Sequence, residues 1–275
     1  MIVEENYQQG AAMCDKNLPV GFFDSGIGGI SVLKEAFDIM PFENFIYYGD
    51  NRNAPYGEKT EDEIKELTLA CGELLYRRGV KAIVIACNTA TSATVLLMRE
   101  KYNIPVISME PAVKPAVAAL NSGIVLVLAT PATVGQQRYK RLLTTVGHED
   151  RVVSIGCPGL VDLIETGDFD SPEIDRYIAN RLVAFEGTEI DGIVLGCTHY
   201  SFIRENIARH ANAHFKGLRR IFDGNGGTVR QLKKVLEENG ILNDPEEKGS
   251  VRFYTSAEES LIPFFERLFD HKRTT

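Results

Sequence analysis

The sequence has no apolar run approaching the roughly 18 residues needed to cross a bilayer. The stretch before Pro19 carries Glu4, Glu5, Asp15 and Lys16 where a signal peptide would have its apolar centre. Neither a membrane partner nor export is expected, and the protein is placed in the cytoplasm. Basic residues are outnumbered, with 30 Lys and Arg against 38 Asp and Glu for a net charge of −8, and nothing basic clusters beyond pairs such as Arg77-Arg78. That argues against a nucleic-acid partner, which needs concentrated positive charge. The five cysteines, Cys14, Cys71, Cys87, Cys157 and Cys197, are odd in number and contain no C-x-x-C pair. A disulfide framework and a zinc knuckle are therefore not indicated, and free thiols are expected. Neither G-x-G-x-x-G nor G-x-x-x-x-G-K-[ST] occurs, which leaves a dinucleotide or triphosphate site unsupported.

What remains is an ordinary globular composition, 44% hydrophobic and 25% charged over 275 residues, long enough for two domains of moderate size. Short β-branched or aromatic runs recur at Val20-Phe23, Phe45-Tyr48, Ala82-Ala86, Pro105-Ser108, Ile124-Ala129, Val152-Ile155, Ile190-Leu195, Arg220-Phe222 and Val251-Tyr254. Helical segments separate them. Ile30, Leu33, Phe37 and Met40 share one helical face. Thr60 with Glu63 makes a capping-box pattern for a helix that stops at Arg77-Arg78-Gly79, and Ser171-Pro172 starts another. Strands alternating with helices predict an α/β fold with mainly parallel sheets covered on both faces.

The chain also reads as duplicated. Asp24, Asp50 and Cys87 end successive strands at intervals of 26 and 63 positions from the first, while Thr130, Cys157 and Cys197 do so at 27 and 67. Two similar α/β domains, pseudo-symmetric about a central cleft, would place all six at the carboxyl ends of strands, where parallel sheets bind ligands. Cys87 and Cys197 would then face each other.

Each of these two cysteines follows an apolar strand and precedes a helical stretch. The helix N-terminus after Cys87 is expected to lower its thiol pKa, and Asn88 and Thr89 offer donors for a carboxylate. His199, two positions after Cys197, suits a general acid and equally a polar loop residue. The other histidines have no comparable setting and read as surface residues. Gly21-Phe-Phe-Asp24-Ser25-Gly-Ile-Gly-Gly29 is a strand entering a glycine-rich turn, whose helix N-terminus could take a substrate carboxylate or be a tight turn capped by Asp24. The residues 53–57, Asn-Ala-Pro-Tyr-Gly, read as a loop, and Glu165 as a solvated helix-end carboxylate.

Taken in order, FDSGIGG, GDNRNAPYG, ACNTA, LATPATVG, CPGLVDLIE and GCTHY closely resemble the glutamate racemases of the aspartate/glutamate racemase superfamily, from about Pro19 to about Asp223. The resemblance implies interconversion of L- and D-glutamate without a metal, pyridoxal phosphate or other cofactor, supplying D-glutamate for peptidoglycan. It implies that Cys87 and Cys197 transfer the proton, that Asp24 assists the first thiol, and that Glu165 and His199 assist the second. Asp24, Ser25, Pro55, Tyr56, Gly57, Asn88, Thr89, Thr130, Thr133, Thr198 and His199 match positions that hold substrate. It further implies a discontinuous first domain of residues 1-111 and 221-275, a second of 112-220, and a homodimer as a common assembly. Ser201, Ala129 and Gly224 depart from the family pattern, where proline, glycine and serine are usual. Another superfamily activity stays open, namely an aspartate or hydantoin racemase or a decarboxylase needing one cysteine. So does a two-lobed amino-acid-binding module with both cysteines structural.

Overall fold

A computed structural model describes residues 15–218, 220–244 and 248–270. The first half of the chain runs β1 (Val20–Asp24), α1 (Ile30–Ile39), β2 (Phe45–Gly49), α2 (Glu61–Arg77), β3 (Ala82–Ile85), α3 (Asn88–Lys101) and β4 (Val106–Ser108). The next stretch is α4 (Val113–Ala118), β5 (Ile124–Ala129), α5 (Pro131–Gly135), α6 (Gln137–Val146), β6 (Val152–Gly156), α7 (Leu160–Glu165) and α8 (Pro172–Leu182). It continues through β7 (Ile190–Leu195), α9 (Arg204–His214), β8 (Arg220–Asp223), α10 (Asn225–Glu238), β9 (Val251–Thr255) and α11 (Ile262–Asp270). Each of the nine apolar runs is a strand.

The strands form two sheets, β4-β3-β1-β2-β9 and β6-β5-β7-β8, and every pairing is parallel. Reversing the second order gives β8-β7-β5-β6, the same succession as β4-β3-β1-β2. The duplication read from intervals is thus a duplication of topology, with β9 added at the free edge of β2. Central strands such as β1, β3 and β7 are buried along their whole length, as sheets covered on both faces require.

Helices α1, α10 and α11 pack together on one face of the first sheet, and α2 and α3 on the other. Ile30, Val32 and Leu33 of α1 are fully buried, each contributing roughly 1.5–3 kcal/mol of transfer free energy. The expected capping box is present: Thr60 Oγ1 accepts the Glu63 N–H and Glu63 accepts the Thr60 N–H. Ser171 caps α8 with its hydroxyl alone, which accepts the Ile174 N–H, and Pro172 is the first residue of the helix.

A boundary at 221 falls inside β8. Ile221, Phe222 and Asp223 pair with Ile193, Val194 and Leu195 of β7, so the second sheet completes its fourth strand before the chain turns back. Only then does α10 pack on α1 and β4, and β9 join β2. Among the described residues, no helix is long and apolar enough to cross a membrane.

Candidate active site

Parallel strands deliver their carboxyl ends to one side, and the two sheets bring those ends together. Asp24 ends β1 and is fully buried, its Oδ1 accepting the Gly26 N–H at 2.8 Å and its Oδ2 the Thr198 hydroxyl of the opposite unit at 3.0 Å. Burial raises its pKa above the carboxylate norm, against the pull of the His199 charge and these two hydrogen bonds. Cys87 stands just past β3 as the N-cap of α3, with the Ser25 hydroxyl 3.6 Å from its sulfur.

The expectation that the helix would lower the Cys87 pKa is overturned. Burial and the nearby Asp24 charge push the thiol up to about 12, and the Ala90 N–H and Ser25 hydroxyl pull back only part of the way. A single turn of N–H groups does not replace the hydration lost by a fully enclosed sulfur.

In the second unit Cys197 follows β7, with His199 Nδ1 3.7 Å from its sulfur. The other imidazole nitrogen, Nε2, lies 2.5 Å from Glu165 Oε1. Burial works against a charged imidazole, but the hydrogen bonds to Cys197 and Glu165 outweigh it and hold the His199 pKa well above its ordinary value. Glu165 is not the solvated carboxylate that its helix-end position suggested. It spans both units, accepting the Ile27 N–H at 2.8 Å and the Asn51 amide at 3.2 Å. Burial alone would raise its pKa, yet His199 and these donors bring it below the usual carboxylate value.

The glycine-rich turn is explained by this approach. A Cβ at Gly26 would overlap the Glu165 carboxylate, and one at Gly28 would overlap the Thr198 hydroxyl. Its first free amides hold the protein's own carboxylates, Asp24 and Glu165, where a substrate carboxylate was one expectation.

A second set of links closes the opposite side. Thr89, Thr130 and Thr133 hydroxyls lie within 2.9–3.1 Å of one another, and Gln136 donates to the Thr89 carbonyl at 3.3 Å. Gly57 packs so tightly on Thr130 that a Cβ would stand 2.6 Å from the threonine Cβ. Tyr56 is held by its hydroxyl on Asp50 at 2.5 Å.

Together these elements enclose a cavity of about 10 Å³ lined by Ser25, Pro55, Tyr56, Gly57, Cys87, Asn88, Thr89, Thr130, Val161, Cys197 and His199. Asp24, Thr133, Glu165 and Thr198 stand behind that lining. The Asn88 amide is buried in the wall, its nitrogen against the Met109 sulfur at 3.3 Å and its oxygen without a partner. An unsatisfied buried amide oxygen on a residue that lines a cavity is a candidate acceptor for a ligand N–H. The described residues offer no cluster of three or more His, Cys, Asp or Glu suited to a metal ion. Cys71 and Cys157 are buried free thiols, and Cys14 lies outside the described residues. His148 and His214 are exposed as expected, but His210 is half-buried and stacked on His214; His271 lies outside the described residues.

A family model described as Asp/Glu/Hydantoin racemase matches residues 34–232. The chain belongs to this family. It is 46% identical over 248 residues to a glutamate racemase of Clostridium perfringens, which covers 90% of this chain and 94% of that relative. Among solved structures, the Escherichia coli glutamate racemase in complex with L-glutamate and activator UDP-MurNAc-ala aligns at a TM-score of 0.79 and 30% identity, over 91% of this chain and 95% of that one. The Francisella tularensis glutamate racemase in complex with D-glutamate aligns at 0.78 and 31%, over 94% and 96%.

The chain is thus an enzyme of the racemase class, an isomerase. Several residues around the cavity of this racemase carried no signal in the sequence. Val161 is one apolar residue among many, and it lines the cavity only because α7 starts beside Cys157. Asn51, Glu58 and Gln136 bridge the two units through Glu165, the Gly159 N–H and the Thr89 carbonyl. Contacts between units have no sequence period to betray them.

Proposed function

We propose that this racemase interconverts L-glutamate and D-glutamate by two-base proton transfer between Cys87 and Cys197. One observation carries the reading: two thiols, delivered by equivalent strands of two sheets with the same topology, line one small cavity. The relatives are glutamate racemases, and two of the solved ones hold L- or D-glutamate.

Inversion at the α-carbon requires a base on one face and an acid on the other, so one sulfur must be a thiolate while the other is a thiol. The groups beside the two sulfurs differ. His199, charged and backed by Glu165, faces the Cys197 sulfur, whereas Cys87 is held as a neutral thiol by burial. After transfer the roles reverse, and the Ala90 N–H and the Ser25 hydroxyl are the groups that favour the charge then arising at Cys87.

A cavity of about 10 Å³ holds about one water molecule and no amino acid. Substrate therefore enters by separation of the two units, the first sheet with β9 and its helices on one side and the second sheet with its helices on the other. Reclosing excludes water, so the fixed donors of Ser25, Asn88, Thr89, Thr198 and the 55–57 loop act at low dielectric on the developing carbanion. The reaction uses no cofactor in this reading, and its product serves peptidoglycan synthesis in the cytoplasm.

Polarimetry of the purified protein with L-glutamate and with D-glutamate, no cofactor added, tests the assignment. Rotation decaying to zero from both sides is expected. Calorimetric binding of glutamate with unchanged rotation, or faster turnover of aspartate, would refute it.

A further inference from the structure

Glu165 offers two carboxylate oxygens. Its Oε1 takes the Ile27 N–H and the His199 imidazole, and its Oε2 takes the Asn51 amide. Asn51 sits in the first of two 3-10 turns that follow β2, Asn51–Asn53, hence in the unit opposite Glu165. Its side chain is built in from behind: the Thr255 hydroxyl at the end of β9 donates to Asn51 Oδ1 at 3.1 Å. That leaves the amide N–H₂ for the carboxylate, the one orientation that avoids setting an amide oxygen against an anion.

The backbone makes room for this arrangement. A Cβ at Gly49 would stand 2.5 Å from Asn51 Oδ1, and Gly49 is paired directly with Thr255 in the sheet. Ser256 fixes the same turn, its N–H donating to the Gly49 carbonyl and its hydroxyl accepting the Arg52 N–H, each at 3.0 Å. A continuous path therefore runs from β9 through Thr255, Asn51, Glu165 and His199 to the Cys197 sulfur.

We propose that Asn51 is a positioning residue, which holds the Glu165 carboxylate against His199 only while the two units are closed, with Thr255 fixing the direction of its amide. The proposal rests on the two-thiol reading and adds a consequence. Two donors to Glu165, Ile27 and Asn51, belong to the first unit, so opening the cleft removes both. The ion pair behind Cys197 is then complete only around enclosed substrate. The edge strand β9, which has no counterpart in the second sheet, acquires a function in that role.

Asn51→Asp tests the proposal, because it keeps the shape and replaces the donor with a second carboxylate. Facing carboxylates share a proton as pH falls, and the introduced carboxyl, once protonated, would again donate to Glu165. The other titratable groups influenced by Glu165 are His199, Asp24, Asp162 and Tyr47, all unchanged in the variant. Asn51→Ala is expected to lower kcat about tenfold, and Asn51→Asp about a hundredfold at neutral pH, as loss of a charge-assisted hydrogen bond implies. The ratio of Asn51→Asp activity to parent activity should rise about tenfold towards acid pH. Thr255→Val, which preserves shape and leaves Asn51 in place, should cost about threefold and provides the readout if an Asn51 variant fails to fold. Asn51→Ala and Thr255→Val at parental kcat, or an Asn51→Asp deficit constant with pH, would overturn the proposal. Cys197→Ser run in parallel separates the two levels. An active Cys197→Ser sinks the two-thiol reading, whereas an inactive one beside parental Asn51 variants sinks this inference alone.

Discussion

The two halves of the molecule share a strand order and differ in charge. At the end of β3, Cys87 meets a serine hydroxyl and a buried aspartate, and its thiol is pushed up to about 12. At the end of β7, Cys197 meets an imidazole held charged by a carboxylate. Even the cross-links are near mirror images. Asp24 of β1 takes the threonine that follows Cys197, and Thr130 just past β5 takes the one two positions after Cys87. A duplicated fold supplies equivalent places for two thiols, and the residues beside each place give them different electrostatic surroundings. That division is useful for a racemase, whose half-reaction begins with one acid and one base.

The largest effect comes from removing either member. Cys87→Ser and Cys197→Ser should each lower racemisation by about 10³-fold or more, since a serine hydroxyl is too weak a base at neutral pH. Serine at Cys71 or Cys157, buried away from the cavity, should leave the rate close to parental. Activity within tenfold of parent in either catalytic variant would break the comparison at its root.

Selective alkylation sharpens it. Cys197, facing an imidazolium, is expected to react first with a thiol reagent at neutral pH. Cys87 should react slowly, its rate rising about tenfold per pH unit until its pKa near 12. Glutamate should protect both, and His199→Asn should remove the difference. Peptide mapping by mass spectrometry reads the order, and equal modification at neutral pH would contradict the assigned asymmetry.

The smallest effect is on stability. The Glu165 pKa is lower folded than unfolded, so its contribution is present above the unfolded carboxylate value and is lost as pH falls through the folded one. His199 has the opposite sign. Its raised pKa stabilises below the unfolded imidazole value and ceases to do so as pH climbs through the folded one. Glu165→Gln should therefore cost about 1–3 kcal/mol near neutrality, and thermal melts of parent and variant should converge as pH falls below the ordinary carboxylate range. A gap that widened in acid would reverse the sign.

Much of the fold is legible in the sequence because strands and caps are local. Nine apolar runs, the Thr60–Glu63 box and Ser171-Pro172 need no distant contact to be read. Matched intervals reveal the repeat because each copy retains its loop lengths. The return point after 220 is not legible to the residue, because Asp223, which follows the apolar Ile221 and Phe222, still pairs in β8. Site roles are less legible. Nothing around Glu165 in sequence separates it from a surface carboxylate, because its partners Ile27, Asn51 and His199 come from distant segments. The direction of the Cys87 shift is hidden for a related reason: a helix start is visible in sequence, and the degree of enclosure that outweighs it is not.

The most direct test follows the α-proton. If Cys87 and Cys197 serve opposite faces of the substrate, the proton taken by one sulfur is not the proton delivered by the other, which originates in solvent. L-glutamate incubated in deuterium oxide should give first-formed D-glutamate that is almost fully deuterated at the α-carbon, while the remaining L-glutamate stays largely protiated. Substantial protium in that early D-glutamate would mean a single base returning its own proton to the other face, and would contradict the opposed-thiol account even if both cysteine variants were inactive.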